Sequence, residues 1–412
     1  MKKLFLLAAT AALILTSCAK IDNLRNDIED QLSPVDFGVY VTQTKAGKTG
    51  EMVTDSLKKS GFGVFAAQTT GDYNADTTMN FMYNQAVTWS STQWTYSPVK
   101  YWPNQIQNGN TDSQTPKAQA TAVHKVSFFA YAPYVETASG DFGITAITAN
   151  SATGDPKVTY TVSNDLDKQV DLVWGVSNGA TWTNVAGGTN TPTSGLPYLN
   201  LQKPAIGTAI HFYFKHALSQ LTLTAQAAYN QTTAGGTAQD GVKITISQVE
   251  VTVPGMYTSA ALNLNNTAAN TPLWESAAGS ADLSLTVSGD NVNTTVKDGG
   301  NVHASAQPAG VTDSKTNVIK DGKYYTIIPK AGSVTVTVKV TYYVTTDDNK
   351  LAAGHSRVEN VIQQTVTFPS GFAAGTKNSI NMILGISEVK LEAEVSPWTT
   401  GSDVDINLPL NV

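Results

Sequence analysis

The sequence predicts an all-β protein built from sandwiches of short strands. Three observations carry that expectation. Apolar and polar residues alternate over many short segments, as in residues 35–41 (VDFGVYV), and a two-residue period is that of a strand with one buried face. Stretches with helical periodicity are nearly absent. Thr, Ser, Asn, Ala, Val and Gly dominate, and only 14% of residues are charged, as in β proteins with long polar loops. The 412 residues are enough for about two domains.

Residues 1–17 have the form of an export signal. Lys2 and Lys3 make a positive start, and residues 4–15 form an apolar run too short to span a bilayer. The run leads into Leu15-Thr16-Ser17-Cys18, with the chain's only cysteine at its end. This is the pattern of a bacterial lipobox, so Cys18 is expected to be lipidated and to become the mature N-terminus. A lipidated Cys18 leaves no thiol for a disulfide, and the domains must be held by packed cores alone. Residues 18–34 are then a tether. Ile21, Leu24 and Ile28 give them a weak helical spacing, and Pro34 stops it.

The first strand follows at once, with Val35, Phe37, Val39 and Val41 on one face. Residues 43–61 (QTKAGKTGEMVTDSLKKSG) are polar, carry Lys45, Lys48, Lys58 and Lys59, and read as an exposed loop. Further strands are expected at 62–68, 126–131, 158–162, 210–214, 218–225, 242–253, 324–328, 334–344, 361–368 and 379–384. Residues 184–207, rich in Gly, Thr and Pro, mark the expected boundary between a first sandwich (35–205) and a second (206–412). Residues 404–412 (VDINLPLNV) form a last amphipathic strand. Val404, Ile406, Leu408, Leu410 and Val412 share one face; Asp405, Asn407, Pro409 and Asn411 share the other.

Several functions are excluded or disfavoured by residue content. The formal charge is −6, which argues against a nucleic-acid partner, since phosphate binding needs a basic surface. No GxSxG, HExxH or P-loop occurs. Gly61 to Ala66 match GxGxxA, but no βαβ pattern surrounds them. Asp347-Asp348-Asn349 read as a hairpin turn, without the Gly and Glu of a calcium loop. His211 and His216 are five residues apart on an expected strand, which puts them on opposite faces and prevents joint metal ligation. No cofactor, metal or catalytic residue is therefore expected, and the chain is read as non-enzymatic. Trp89, Trp94, Tyr96, Tyr101 and Trp102 could build a sugar-stacking platform, with Trp94 and Tyr96 on one strand face; core anchoring is the favoured reading of such rings.

One ordered set of motifs goes further. WTYSPVKYWP (94–103), VSFFAYAP (126–133), DLVWG (171–175) and HFYFKHALSQLTL (211–223) follow the lipobox and first strand and precede the terminal strand. Taken together they resemble the fimbrillin family of Bacteroidales, the lipoprotein subunits of type V pili. That resemblance implies two transthyretin-like β-sandwich domains in tandem, an outer-membrane surface location through the lipid on Cys18, and a role in cell adhesion. It also implies partners: other fimbrial subunits of the same or related kind, a surface protease, and host or bacterial surface ligands. In the family the protease removes the first strand, and a strand from another subunit fills the vacated groove. Here the segments that would exchange are Val35, Phe37, Val39 and Val41 against Val404, Ile406, Leu408, Leu410 and Val412. The family often uses an arginine-specific protease. Arg25 precedes the first strand and Arg357 lies deep in the second half, so Lys45 or Lys48 becomes the candidate processing site. A lipid-anchored glycan-binding adhesin that does not polymerise is the alternative reading, and an unrecognised hydrolase is a third.

Burying five aliphatic side chains would give about 1.5–3 kcal/mol each, against about 1–2 kcal/mol for ordering each of nine residues. The two sums nearly cancel, so ladder hydrogen bonds must supply the net affinity of a donated strand. Pro409 lacks an N–H and limits how that ladder can form.

Overall fold

The computed structural model describes residues 33–41, 51–103, 124–184, 188–204, 208–227, 242–275, 280–292, 315–384 and 389–397. The chain is all-β, as its alternation predicts. Cys18, Lys45, Lys48 and residues 404–412 lie outside the described residues.

The strand Lys125–Ala132 (KVSFFAYA) shows how the first half is layered. It is apolar almost throughout, because both of its faces are buried. Val126, Phe128 and Ala130 enter one core, while Phe129 and Tyr131 enter another. Phe62–Thr69 beside it divides the same way: Phe62, Val64 and Ala66 on one side, Phe65 and Ala67 on the other. These two strands sit in the middle of an eight-stranded sheet. Its order runs Phe37–Val41, Ile210–His216, Val173–Val176, Lys125–Ala132, Phe62–Thr69, Met82–Trp89, Trp94–Thr95, with Tyr198–Leu201 also on Lys125–Ala132. Ile144–Ile147, Lys157–Thr161, Ser259–Asn263 and Leu273–Glu275 form a four-stranded sheet. It supplies Ile144, Val158, Tyr160, Ala260 and Leu262 to the core that also holds Phe129 and Tyr131.

The other core, around Phe62, Phe128 and Phe212, is closed partly by a segment expected to be solvated. Glu51, Met52 and Leu57 are buried, and Thr54–Ser60 is a short helix. The expectation of an exposed loop over 43–61 thus fails for 51–60. Two well-spaced apolar side chains, Met52 and Leu57, are enough to dock one helical turn, and four flanking lysines hid them. Lys58 Nζ lies over the Trp89 ring, 4.6 Å from its centroid, so its charge rests on an aromatic face rather than standing free in water.

The second half is a sandwich around a third core. One sheet orders Thr316–Asn317, Ser219–Ala227, Thr376–Leu384 and Val389–Pro397, with Tyr325–Ile327 also on Ser219–Ala227. The other orders Ser280–Ser288, Val242–Tyr257, Val334–Asp347 and His355–Phe368. Leu221, Leu223, Ile380 and Met382 meet Val249, Val251, Val338 and Val340 between them.

The sheets do not divide at the expected 205/206 boundary. Ile210–His216 completes the first sheet and Ser219–Ala227 opens the next. The described part of the Gly- and Pro-rich stretch before them belongs to the first half, where Tyr198–Leu201 pairs with Lys125–Ala132. The chain then returns: Ser259–Asn263 pairs antiparallel with Lys157–Thr161, directly after the long strand Val242–Tyr257 of the second half. Buried polar contacts fasten the junction. Gln169 Oε1 accepts from Thr326 N at 2.6 Å, Tyr160 and Thr326 hydroxyls bond to each other, and Asn164 Oδ1 accepts from Thr286 N at 2.7 Å.

Candidate functional site

The site is the seat of residues 33–41. Phe37–Val41 runs parallel to Ile210–His216 in the register Phe37↔Ile210 to Val41↔Phe214. It stands at the end of the strand order, with a ladder on one side only. Its amino-terminal flank is held differently. Val35 N donates to Lys100 O at 2.9 Å and Trp102 N donates to Ser33 O at 2.9 Å, with Pro34 bridged to Tyr101. The segment therefore reaches from one end of the curled sheet toward the other and helps close the core beneath it.

Side chains on the inner face follow the predicted alternation. Val35 and Phe37 are buried, and Val39 and Val41 pack half-buried on the same core. The Phe37 ring centroid lies 5.4 Å from that of Tyr96, 5.9 Å from Phe212, 6.1 Å from Phe128 and 6.2 Å from Phe62. Edge-to-face and offset geometries of this kind add to the burial. Tyr96 donates its hydroxyl to Val35 O at 2.8 Å; burial pushes its phenol up to about 12. Tyr198 donates to His211 O at 2.7 Å and steadies the neighbouring strand.

The outer face is a stack of rings. Tyr40 is 53% exposed, yet its ring lies 4.9 Å from Tyr213 and 5.6 Å from His211. Asn178 Nδ2 donates to the Tyr213 hydroxyl at 3.0 Å. The imidazole of His211 lies over residue 38, where a Cβ would come within 2.3 Å of Nδ1. Glycine is the residue that permits this approach. Partial burial lowers the pKa of His211.

Just beyond the candidate processing lysines the chain is anchored again. Met52 N donates to Asp171 Oδ2 at 3.3 Å, and Asp171 in turn pairs with His216 Nδ1. Glu51, also buried, faces Lys377 Nζ at 3.5 Å. Burial pushes the Asp171 carboxyl up, against the pull of His216 and the Met52 amide. The stretch 42–50 thus lies between an edge strand and a deeply fixed segment.

His211 and His216 face opposite sides of their strand, one exposed and one buried. The aromatic cluster packs inward: Trp102 is buried, Trp94 and Tyr96 lie half-buried on the first core, and Trp89 meets Trp94 at 5.3 Å. Only Tyr101 is largely exposed among them. Among the described residues no cluster of His, Cys, Asp and Glu could hold a metal ion, and no helix is long and apolar enough to cross a membrane. The arrangement is one for holding a strand by apolar burial and backbone pairing. Sequence reasoning found the inner face of that strand. It missed the clasp by 100–102, the docked segment 51–60 and the Gly38–His211 fit, although a glycine inside an alternating strand is itself a sign of close approach.

No protein-family model matches the chain. The chain is 25% identical over 425 aligned residues to the fimbrium subunit Fim1C of Phocaeicola vulgatus, covering 98% of each sequence. A solved structure of a fimbrial protein from Bacteroides vulgatus has the same fold, with a TM-score of 0.60 at 23% identity, over 89% of this chain and 100% of that one. The chain resembles the fimbrial proteins of Bacteroidales from end to end, in agreement with its ordered motifs.

Proposed function

We propose that this protein is a structural, non-enzymatic subunit of a cell-surface fimbria, and that it assembles by exchange of its first strand. The observation that carries the reading is the seat of Phe37–Val41: an edge position, one-sided pairing, and inner side chains that complete the first core. A strand so placed can leave along the sheet edge without unthreading any other element. The full-length likeness to a fimbrium subunit supports the same role.

The sequence of events follows from the physics of the edge. Export and lipidation at Cys18 tether the precursor to the outer membrane, with its own strand in place. An unfilled groove would expose the rings of Phe62, Phe128 and Phe212 beside an unpaired ladder, which invites aggregation. Cutting at Lys45 or Lys48 by a surface protease separates residues 35–41 from the anchored Glu51–Met52. A strand from another subunit, such as residues 404–412, then replaces them by β-augmentation. Because donor and groove are different surfaces, the contact is head to tail and propagates into a filament, which can carry adhesion to host or bacterial surfaces. Of the aromatic residues that would build a glycan platform on a non-polymerising adhesin, Trp89, Trp94, Tyr96 and Trp102 are engaged in packing, and Tyr101 alone among them is largely exposed.

The test is limited digestion with a lysine-specific protease at low concentration, followed by electrophoresis without boiling. A ladder of oligomers whose repeating unit begins at Ala46 or Thr49 is expected, and the Lys45→Gln/Lys48→Gln double variant should stay monomeric. Assembled material that still begins at a blocked Cys18 would sink the proposal.

A further inference from the structure

The hydrogen-bond parity of the groove sets the direction in which a new strand can lie. Ile210 N donates to Asp36 O at 2.8 Å, within the parallel register Phe37↔Ile210. In a parallel ladder with that bond, the N–H groups of Gly38 and Tyr40 point to the strand Ile210–His216, and those of Phe37, Val39 and Val41 point to the free edge. The residues bonded to the wall are therefore those whose side chains face outward, and the buried residues bond the other way.

Residues 404–412 can bury only Val404, Ile406, Leu408, Leu410 and Val412, which makes Pro409 an outward residue. Every parallel register that keeps the apolar face inward turns the Pro409 nitrogen to the wall. Proline has no N–H to donate there, and its ring would press on the neighbouring backbone. In either direction a residue with a Cβ takes the place of Gly38 beside His211, so that contact does not choose between them and the proline does. Reversing the strand removes the conflict at Pro409. In an antiparallel ladder directly opposed residues share a face. Ile210, Phe212 and Phe214 are buried inward, and the amide of Ile210 faces the groove. The donor's inward residues then take the wall bonds, and the Pro409 nitrogen turns to the free edge, where proline is tolerated.

Resting on the strand-exchange reading above, we propose that the vacated groove takes residues 404–412 of a second copy of this chain antiparallel to Ile210–His216, reversed relative to the strand it replaces. The nine residues span about 30 Å when extended, so only one end of the donor can lie near Lys215, which is paired with the buried Trp174. In the antiparallel sense that end is Asp405; in the parallel sense it is Asn411.

Disulfide trapping distinguishes them, since a bridge needs Cα atoms within about 7 Å. Full-length chains carrying Cys18→Ser and either Lys215→Cys/Asp405→Cys or Lys215→Cys/Asn411→Cys are digested, assembled and oxidised. Inter-subunit bridges are expected from the first pair at a yield at least tenfold above the second, and Pro409→Val should raise the yield of the second. Preferential bridging of the second pair without that substitution would overturn the orientation. Oligomers without either bridge would show that this tail does not occupy the groove, while leaving strand exchange itself standing. Absence of oligomers after cleavage would remove the strand-exchange reading and the orientation with it.

Discussion

At residue 38 the backbone of the edge strand passes beneath the imidazole of His211, with no room for a Cβ at its present position. Gly38→Val should therefore weaken the strand's seat by about 1–3 kcal/mol, a typical overpacking cost, and His211→Ala should restore most of it. Urea titration of the two single variants and the double variant measures the coupling, and equal losses with and without His211 would refute the contact. Only one half of this fit shows in the sequence. Gly38 stands out inside an alternating strand, but its partner becomes a neighbour only through the parallel pairing with residues 210–214. By contrast, Phe37 declared itself through alternation, and it sits where that pattern puts it, ringed by Tyr96, Phe62, Phe128 and Phe212.

The edge strand as an element is held from two directions. Its inner side chains fill the first core, and its flank is clasped by residues 100–102. Phe37→Ala should cost about 3–5 kcal/mol of that docking. An edge element can open without global unfolding. The loss should therefore appear as faster amide exchange at Gly38 and Tyr40 and faster cleavage before Glu51, while the second half exchanges as before. Unchanged exchange at those amides would mean that the backbone ladder alone holds the strand. Strand elements were the legible part of this chain because a period of two survives even in short segments, as in residues 210–214 and 334–344. The turn of helix at Thr54–Ser60 was not legible. Seven residues carry too little periodicity, and only tertiary contact with Met52 and Leu57 decides its fate.

Across the whole molecule the two halves are interlocked. The backbone passes between them after His216, after Tyr257 and after Glu275, a return path that no local composition could announce. The division expected at 205/206 rested on Gly, Thr and Pro content, which marks connections without saying what they connect. Beside the first passage lies fully buried Asp171, faced by His216, the Met52 amide, Glu51, Tyr160 and Tyr324. Its folded pKa is raised, chiefly by desolvation, so its contribution to stability is complete below the ordinary carboxylate value of 3.8 and is lost as pH rises through the folded value. Asp171→Asn should flatten that decline in urea midpoints measured from pH 3 to 7. An unaltered slope would place the dependence on other carboxylates.

The hairpin formed by Ser259–Asn263 and Leu273–Glu275 has a mechanical consequence. It is stitched by backbone bonds into the first-half sheet while both of its ends continue into the second half. Tension applied along a chain of such units cannot part the halves at a flexible hinge; it must first shear a hydrogen-bonded sheet. In the filament proposed above, each unit would then behave under flow as one stiff rod, with the exchanged strand as the joint that bears the load.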